Sequence, residues 1–142
     1  MSSNNPSRER KTVVVDASGA VLGRIASYAA KQSLLGKNVV IVNCKKALIT
    51  GKKRTTIREY NDIRQKGGSS LKGPFFPKNP ERIVKRTARG MLSHQQQRGI
   101  DAHKRIMCYN DVPVEFASAT KVTFNHNITA RTTNLEELSR EI

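Results

Sequence analysis

TVVVDASGAVLGRIASYAAKQSLLGKNVVIVNC, residues 12–44, carries the strongest indication of fold class in this chain. It opens with a β-branched run at Thr12–Asp16, which predicts a strand. Ser18-Gly19 then turns the chain into a helix, and Gly36 supplies the end of that helix. The second run, Asn38–Cys44, is rich in Val and Ile without alternation, which is typical of a strand covered on both faces in a parallel sheet.

The segment between these two runs has the spacing of an amphipathic helix. Its apolar residues recur at intervals of three and four, so they share one face. They are Val21, Leu22, Ile25, Ala26, Ala29, Ala30 and Leu34. A strand, a helix and a second buried strand form a βαβ unit, and this order predicts an α/β layered domain.

The middle of the chain contains further elements. Residues 47–51 fit a short strand or a turn, and residues 52–65 fit a helix. Residues 66–79 are rich in Gly, Ser and Pro and predict a loop. The best-marked helix follows, with Asn79 as its N-cap and Pro80 at its first position.

The last part of the chain is less regular. Ile106–Tyr109 predicts a strand, and Thr133-Asn134-Leu135-Glu136 reads as a capping box that opens a short final helix. We expect a flexible basic arm over residues 1–11 and a single domain over residues 12–142, of which residues 114–142 form the less regular segment.

The sequence carries a large positive charge. It has 26 Lys and Arg against 11 Asp and Glu, a net charge of +15. Residues 45–105 alone hold 17 of the basic residues and four of the acidic ones. A localised excess of this size is what a phosphate-binding surface requires. We therefore expect a polyanionic partner; the alternative is that the charge serves solubility alone.

Several classes of protein are excluded. Two cysteines far apart, Cys44 and Cys108, do not make the framework of a secreted disulfide scaffold, and both are expected to be buried reduced thiols. The longest aliphatic runs, residues 13–15 and 39–42, are too short to span a membrane. The amino terminus has no apolar signal core. These features predict an intracellular, soluble domain without a membrane partner.

The helix at Arg82–Leu92 divides into an apolar side and a basic side when its residues are placed at about 100° intervals. The apolar side holds Ile83, Val84, Thr87, Ala88, Met91 and Leu92, and the basic side holds Arg82, Lys85, Arg86 and Arg89. Four cations on one side repel each other, and no Glu at the facing positions relieves that repulsion. We interpret the basic side as a strip that contacts phosphates, with a merely solvated face as the alternative.

Other basic residues around this helix extend the predicted phosphate-binding surface. They are Lys52, Lys53, Arg54 and Arg58 after a glycine turn, Arg64, Lys66, Lys72 and Lys78 in or beside the loop, and Arg98, Lys104 and Arg105 after the helix. Glycines in the loop permit close approach to a phosphodiester. Phe75 and Phe76 either stack on unpaired bases or, the interpretation we favour, anchor the loop to the domain.

Enzymatic and metal-binding alternatives have little support in the spacing. Gly19–Gly23 follows a strand but matches neither the dinucleotide fingerprint nor the phosphate loop. Asp16, Ser27 and His94 lack the arrangement of a nucleophilic triad. The three histidines have no acidic or Cys partners at ligand spacing, so no metal and no cofactor are predicted.

Two further alternatives involve nucleic acid. A DNA-binding protein would need a recognition helix with side chains spaced to read base edges, and the sequence offers none. An enzyme acting on RNA would need a nucleophile or paired carboxylates near the basic side, where only Glu81 and Asp101 are close.

A set of motifs resembles those of the universal thirteenth protein family of the large ribosomal subunit. The motifs are Asp16–Ser27, Gly36-Lys37 ahead of Val39–Asn43, Thr50-Gly51-Lys52 and, most specifically, Arg86–Leu92. Gly73–Ile83, Arg98-Gly99 and Tyr109–Pro113 resemble the archaeal and eukaryotic branch. The resemblance extends from about Thr12 to Pro113. The chain has no long carboxy-terminal extension, which favours an archaeal source.

This resemblance implies a three-layer α/β/α domain around a mainly parallel four-stranded sheet. It implies a non-enzymatic structural protein that binds large-subunit ribosomal RNA early in assembly and contacts neighbouring ribosomal proteins in the cytoplasmic ribosome, with no small-molecule substrate. Carried over by position, Arg24, the Lys52-Lys53 turn, Arg86 and Arg89 face RNA. Gly90 permits close approach of its helix to RNA or to the sheet.

Overall fold

The computed structural model describes residues 11–66, 76–124 and 128–142. The helices of these ranges are α1 (Leu22–Leu34), α2 (Lys53–Gln65), α3 (Pro80–Gly90), α4 (Gln97–Lys104) and α5 (Leu135–Glu141). The strands are β1 (Thr12–Asp16), β2 (Asn38–Val42), β3 (Leu48–Thr50), β4 (Ile106–Cys108), β5 (Lys121–Thr123) and β6 (Thr132–Asn134).

A four-stranded parallel sheet in the order β4-β2-β1-β5 forms the centre of the molecule. β1 and β2 pair along their whole length, from Thr12 opposite Asn38 to Asp16 opposite Val42. The predicted βαβ unit is therefore present. The α/β class and the mainly parallel four-stranded sheet are confirmed.

Alternate residues of β1 and β2 serve opposite faces of this sheet. Val15, Val39 and Ile41 join the larger core cluster, which contains the buried side chains of α1, α3, α4 and α5. Val14 and Val40 belong to a second cluster on the other face. Because β2 contributes to both clusters, it is covered on both faces, as its continuous Val and Ile run predicts.

The second face of the sheet is covered by the chain that follows β4. Tyr109, Val112, Phe116 and Ala119 pack against it, and a short 3-10 helix at Val114–Phe116 lies in this segment. The described α-helices thus bury their core residues on one face, and an irregular segment forms the third layer.

The end of α3 differs from the sequence prediction. The helix stops at Gly90, so Met91 leaves the apolar side and is 45% exposed, whereas Leu92 is 5% exposed and returns to the core. The prediction that Met91 lies with the other residues of the apolar side is wrong. The exposed Leu34 and Leu35 at the end of α1 line the same shallow groove as Met91.

The carboxy-terminal segment contains pairing that the sequence pattern does not predict. β6 pairs antiparallel with β3, and β5 adds an edge to the main sheet beside β1. The prediction of a capping box is wrong. Thr133 is a buried residue of β6, and α5 begins after Asn134 without a side-chain capping hydrogen bond. The predicted final helix is present as α5, with Leu135 and Leu138 buried.

Two predicted boundaries of α1 can be compared with the structure. The helix begins at Leu22 rather than directly after Gly19, and it ends where expected. Gly36 has a φ of 91°, and its amide donates to the carbonyl of Ser33 at 3.1 Å. The predicted arm at residues 1–11 lies outside the described residues except for Lys11.

Candidate nucleic-acid interface

Helix α3 presents its cations away from the core. Ile83, Val84 and Ala88 are fully buried against the larger cluster, which fixes the orientation of the helix. On the other side, Arg82 and Arg89 are exposed and Lys85 and Arg86 are half-buried. The structure therefore brings together all four cations that the helical angles place on one side. We call these four residues the α3 basic face.

The start of α3 is capped from a distant part of the chain. Pro80 opens the helix as predicted, but the side chain of Asn79 makes no capping hydrogen bond. Instead the backbone amide of Glu81 donates to Oδ1 of Asn110 at 3.0 Å. The cap connects α3 to the chain just after β4, and so it holds the basic face in place relative to the sheet.

A cavity of about 260 Å³ opens beside the α3 basic face, where α3 meets α4. We call it the α3–α4 cavity. It is lined by Pro77, Arg82, Lys85, Arg86, Arg89 and His103. None of these lining residues is acidic. The cavity is therefore electropositive and suits an anion.

Burial and charge act together on the His103 imidazole. Partial burial lowers the pKa of His103 below its ordinary value, and the positive charges of Lys85 and Arg89 and the neighbouring His94 lower it further. Both effects favour the neutral form of the His103 imidazole in the protein alone.

A second cavity, of about 240 Å³, lies at the end of α3 and is lined by Arg86, Arg89, Gly90 and His94. Gly90 is exposed, does not have a positive φ, and a Cβ atom built on it would meet no described atom within 4 Å. Packing against the sheet therefore does not require this glycine.

Phe76 connects α2 to α3. Its ring meets Tyr60 of α2 edge-on at 5.0 Å between centroids, and the guanidinium of Arg86 lies 5.1 Å from its centre. Phe76 is half-buried against the larger core cluster. Phe76 thus anchors this end of the loop to the domain, as the favoured interpretation expects. Phe75 lies outside the described residues.

The predicted cations on and beside α2 are exposed, and two of them also contact α5. Nζ of Lys53 lies 3.9 Å from a carboxylate oxygen of Glu137. Arg64 donates to the backbone carbonyl oxygen of Ile142. The exposed cations of this group are Lys52, Lys53, Arg54, Arg58, Arg64 and Lys66.

Arg105 is placed differently from the other predicted site residues. Its guanidinium donates from Nη1 to the carbonyl of Ser33, near the end of α1, at 2.8 Å. Ser33 itself is fully buried, so this arginine joins the start of β4 to α1. The remaining predicted cations of the described residues are exposed, namely Arg24, Lys78, Arg98 and Lys104. Lys72 lies outside the described residues.

The residues of the hypothetical triad serve local structure. Asp16 accepts hydrogen bonds from the Ser18 amide at 2.9 Å and from Nδ2 of Asn43 at 3.1 Å. The hydroxyl of Ser27 donates to the carbonyl of Arg24 at 3.0 Å, within its own helix. The hydrogen bonds given for Asp16 and Ser27 are therefore local and do not involve His94.

The two cysteines are free thiols at the ends of β2 and β4. Cys44 is fully buried and Cys108 is half-buried. A hydrogen bond with the Cys108 thiol and burial raise the pKa of Cys44 far above its ordinary value. Cys44 is therefore an inert core thiol.

The described ranges contain neither a cluster of metal ligands nor a membrane-spanning helix. Within residues 11–66, 76–124 and 128–142, no three His, Cys, Asp or Glu side chains come together in a way that would hold a metal ion. In the same ranges, no helix is long and apolar enough to cross a bilayer.

Sequence reasoning missed three residues of this site. The sequence patterns raise His103 only as a metal ligand, and His94 only as a metal ligand or a triad member, although these histidines line the two cavities beside α3. Asn110 was considered only as part of a strand end, although it caps α3. The positions of these side chains depend on how α4 and the chain after β4 pack against α3, for which the local sequence carries no signal.

Comparison with known proteins gives consistent matches. The sequence profile of the family described as ribosomal protein L13 matches residues 10–115. The large ribosomal subunit protein uL13 of Methanosarcina barkeri is 47% identical over 111 residues, covering 78% of this chain and 79% of that protein. The Archaeoglobus fulgidus protein of the same name is 47% identical over 116 residues, covering 78% and 74%.

A third relative extends the match toward both ends. The uL13 protein of Methanocaldococcus jannaschii is 39% identical over 132 residues, which cover 91% of this chain and 96% of that protein. These relatives are archaeal, and they are named as ribosomal proteins rather than as enzymes. The resemblance seen in the motifs is thereby confirmed. The chain belongs to the ribosomal protein L13 family.

Proposed function

We propose that this protein is a structural, non-catalytic component of the large ribosomal subunit that binds ribosomal RNA through the α3 basic face and supports subunit assembly. The observation that carries the proposal is the cluster of Arg82, Lys85, Arg86 and Arg89 along an electropositive cavity. The names of the archaeal relatives support the large subunit as the setting.

The geometry of α3 suits a rigid contact with phosphates. Ile83, Val84 and Ala88 fix the helix in the core, and Asn110 fixes its first turn. Because the helix is held in place, the backbone positions of these cationic residues cannot move apart, and their positive charges repel one another. A phosphate backbone supplies negative charge at these positions and releases counterions from the RNA, which drives binding.

The exposed cations beyond α3 widen the proposed surface. Phe76 holds α2 next to α3, which adds the cations of α2 to the same proposal. Arg24, Lys78, Arg98 and Lys104 are further candidates because they are exposed. Neighbouring ribosomal proteins complete the proposed surroundings, and the cytoplasmic ribosome is the proposed location.

Sedimentation of cell lysate through a sucrose gradient tests this function. We expect the chain to fractionate with the large subunit. Replacing Arg82, Lys85 and Arg89 by Gln should shift the chain to the top of the gradient, since these cations make the proposed contacts. Replacing Lys31, Lys46 and Arg131, which are exposed but outside the proposed surface, removes the same charge and should leave sedimentation unchanged. Wild-type chain found only at the top of the gradient would contradict the proposal.

A further inference from the structure

The α3–α4 cavity contains a titratable group that simple electrostatic binding does not require. His103 lies at its wall beside four permanent cations. The groups that act on His103 from the surrounding elements are Lys85 and Arg89 of α3 and His94 of the turn before α4. Each of them opposes a positive charge on the imidazole.

A tetrahedral anion in this cavity would reverse that balance. A phosphate among these cations offsets the positive potential that, together with the larger effect of burial, lowers the pKa of His103. The imidazole then gains an opposite charge as a neighbour, and its protonated form also gains a second N–H donor for the phosphate oxygens.

We propose that the α3–α4 cavity is a phosphate-binding subsite in which His103 takes up a proton from solvent as the phosphate enters. The inference rests on the proposed RNA-binding function and identifies which contact of that surface is linked to protons. The phosphate chemistry is shared by a diester of the RNA backbone and a monoester at an RNA end, and these two sources differ in charge.

The sign of the pH dependence follows from linkage. His103 titrates below its ordinary value in the free protein and at a higher pH in the complex. Between these two values the complex holds more protons, so RNA affinity rises as pH falls through that window. The affinity levels off when the pH is below the pKa of His103 in the free protein. A rise of one unit in the pKa of His103 gives roughly a tenfold gain in affinity.

Nuclear magnetic resonance of the full chain tests the proposal directly. The imidazole signal of His103, assigned by its loss in His103→Gln, is titrated with pH in the free chain, in the presence of sulfate, and bound to a short hydroxyl-terminated RNA hairpin. Sulfate and the phosphodiester do not titrate in this range. We expect sulfate to raise the pKa of His103. The hydroxyl-terminated hairpin should raise it as well if a backbone diester is the source, whereas only the same hairpin with a terminal phosphate should raise it if a monoester is the source.

Three variants separate this contact from a general effect of charge. Arg89→Gln should raise the pKa of His103 in the free chain because it removes a repelling charge. Arg98→Gln removes an exposed cation that does not line the cavity, and it should leave that pKa unchanged. His103→Gln should keep RNA binding near its value at high pH and abolish the gain at low pH.

The possible outcomes distinguish the two proposals. RNA binding without a rise in the pKa of His103 with either hairpin would overturn the subsite and leave the proposed function intact. A rise with sulfate but no RNA binding at any pH would support an anion subsite and overturn the proposed function. The absence of both would overturn both.

Discussion

Gly99 lies where α4 passes closest to the turn that precedes it. A Cβ atom at this position would lie 2.0 Å from the carbonyl oxygen of Ser93 and 3.0 Å from the amide nitrogen of His94. Both neighbours are backbone atoms, so no side chain can move aside. The glycine therefore fixes how closely α4 and the turn with His94 approach each other, and this approach places His94 near the α3 basic face.

The first prediction compares the two glycines in these helices. Gly99→Ala should lower the free energy of unfolding by about 1–3 kcal/mol, because the overlap forces the backbone to shift. Gly90→Ala should raise it by up to about 1 kcal/mol, because alanine is the better helix former and meets no described atom. Urea unfolding of both variants measures the difference. Equal effects would contradict the described packing.

Arg105 illustrates why a charge pattern alone does not define a binding surface. The sequence places it in a basic cluster with Arg98 and Lys104, and all three look equivalent there. In the structure it is half-buried and satisfies a carbonyl near the carboxyl end of α1. A cation at a helix carboxyl end is also favoured by the helix dipole.

The second prediction separates stability from RNA binding at this residue. Arg105→Met keeps much of the aliphatic stem and removes the donor, and it should cost about 1.5–3 kcal/mol of stability. RNA affinity, measured well below the melting temperature, should stay the same. Lys104→Gln, the exposed neighbour, should change stability by no more than about 0.5 kcal/mol. Normal stability with impaired RNA binding in Arg105→Met would assign Arg105 to the interface instead.

At the scale of elements, the position of α3 depends on its core side and on its cap. The three fully buried side chains of α3 set its rotation. The cap from Asn110 sets where it begins. The sequence contains the correct start, since Pro80 is the first residue of α3, but it assigns the cap to the wrong asparagine. Local patterns identify a cap by adjacency, whereas this hydrogen bond comes from a residue 29 positions away.

The third prediction tests this capping. Asn110→Ala should lower the free energy of unfolding by about 0.5–2 kcal/mol, the usual cost of a lost cap. Asn79→Ala should cost less, because its side chain makes no cap hydrogen bond. Thermal unfolding of the two single variants provides the comparison. A larger loss for Asn79→Ala would show that α3 is capped locally after all.

At the scale of the whole molecule, the strongest sequence signals correspond to the centre of the fold. Val and Ile runs without alternation require burial on both faces, and the parallel pair β1 and β2 satisfies that requirement. β5 and β6 are three residues each and largely polar. Such strands form only because a neighbouring edge is available, so no local pattern identifies them.

The sequence predicts part of the candidate site and misses the rest. The angles of α3 identify its four cations, because a rigid helix converts spacing into position. The helical angles do not identify where the helix ends, so they place Met91 on the apolar side. They also do not identify His103, which reaches the cavity through the packing of α4 against the rest of the fold.

The dependence of RNA affinity on salt concentration tests whether α3 is the surface that binds RNA. The logarithm of the affinity for purified large-subunit ribosomal RNA is measured against the logarithm of salt concentration for three chains. They are the wild type, the variant with Arg82, Lys85 and Arg89 replaced by Gln, and the charge-matched variant with Lys31, Lys46 and Arg131 replaced by Gln. Each phosphate contact contributes about 0.7–0.9 to the slope. The α3 variant should therefore lose roughly two to three units of slope at an unchanged or slightly higher melting temperature. The matched variant should keep the wild-type slope. Equal slopes for the wild type and the α3 variant would contradict the assignment of α3 as the surface that binds RNA.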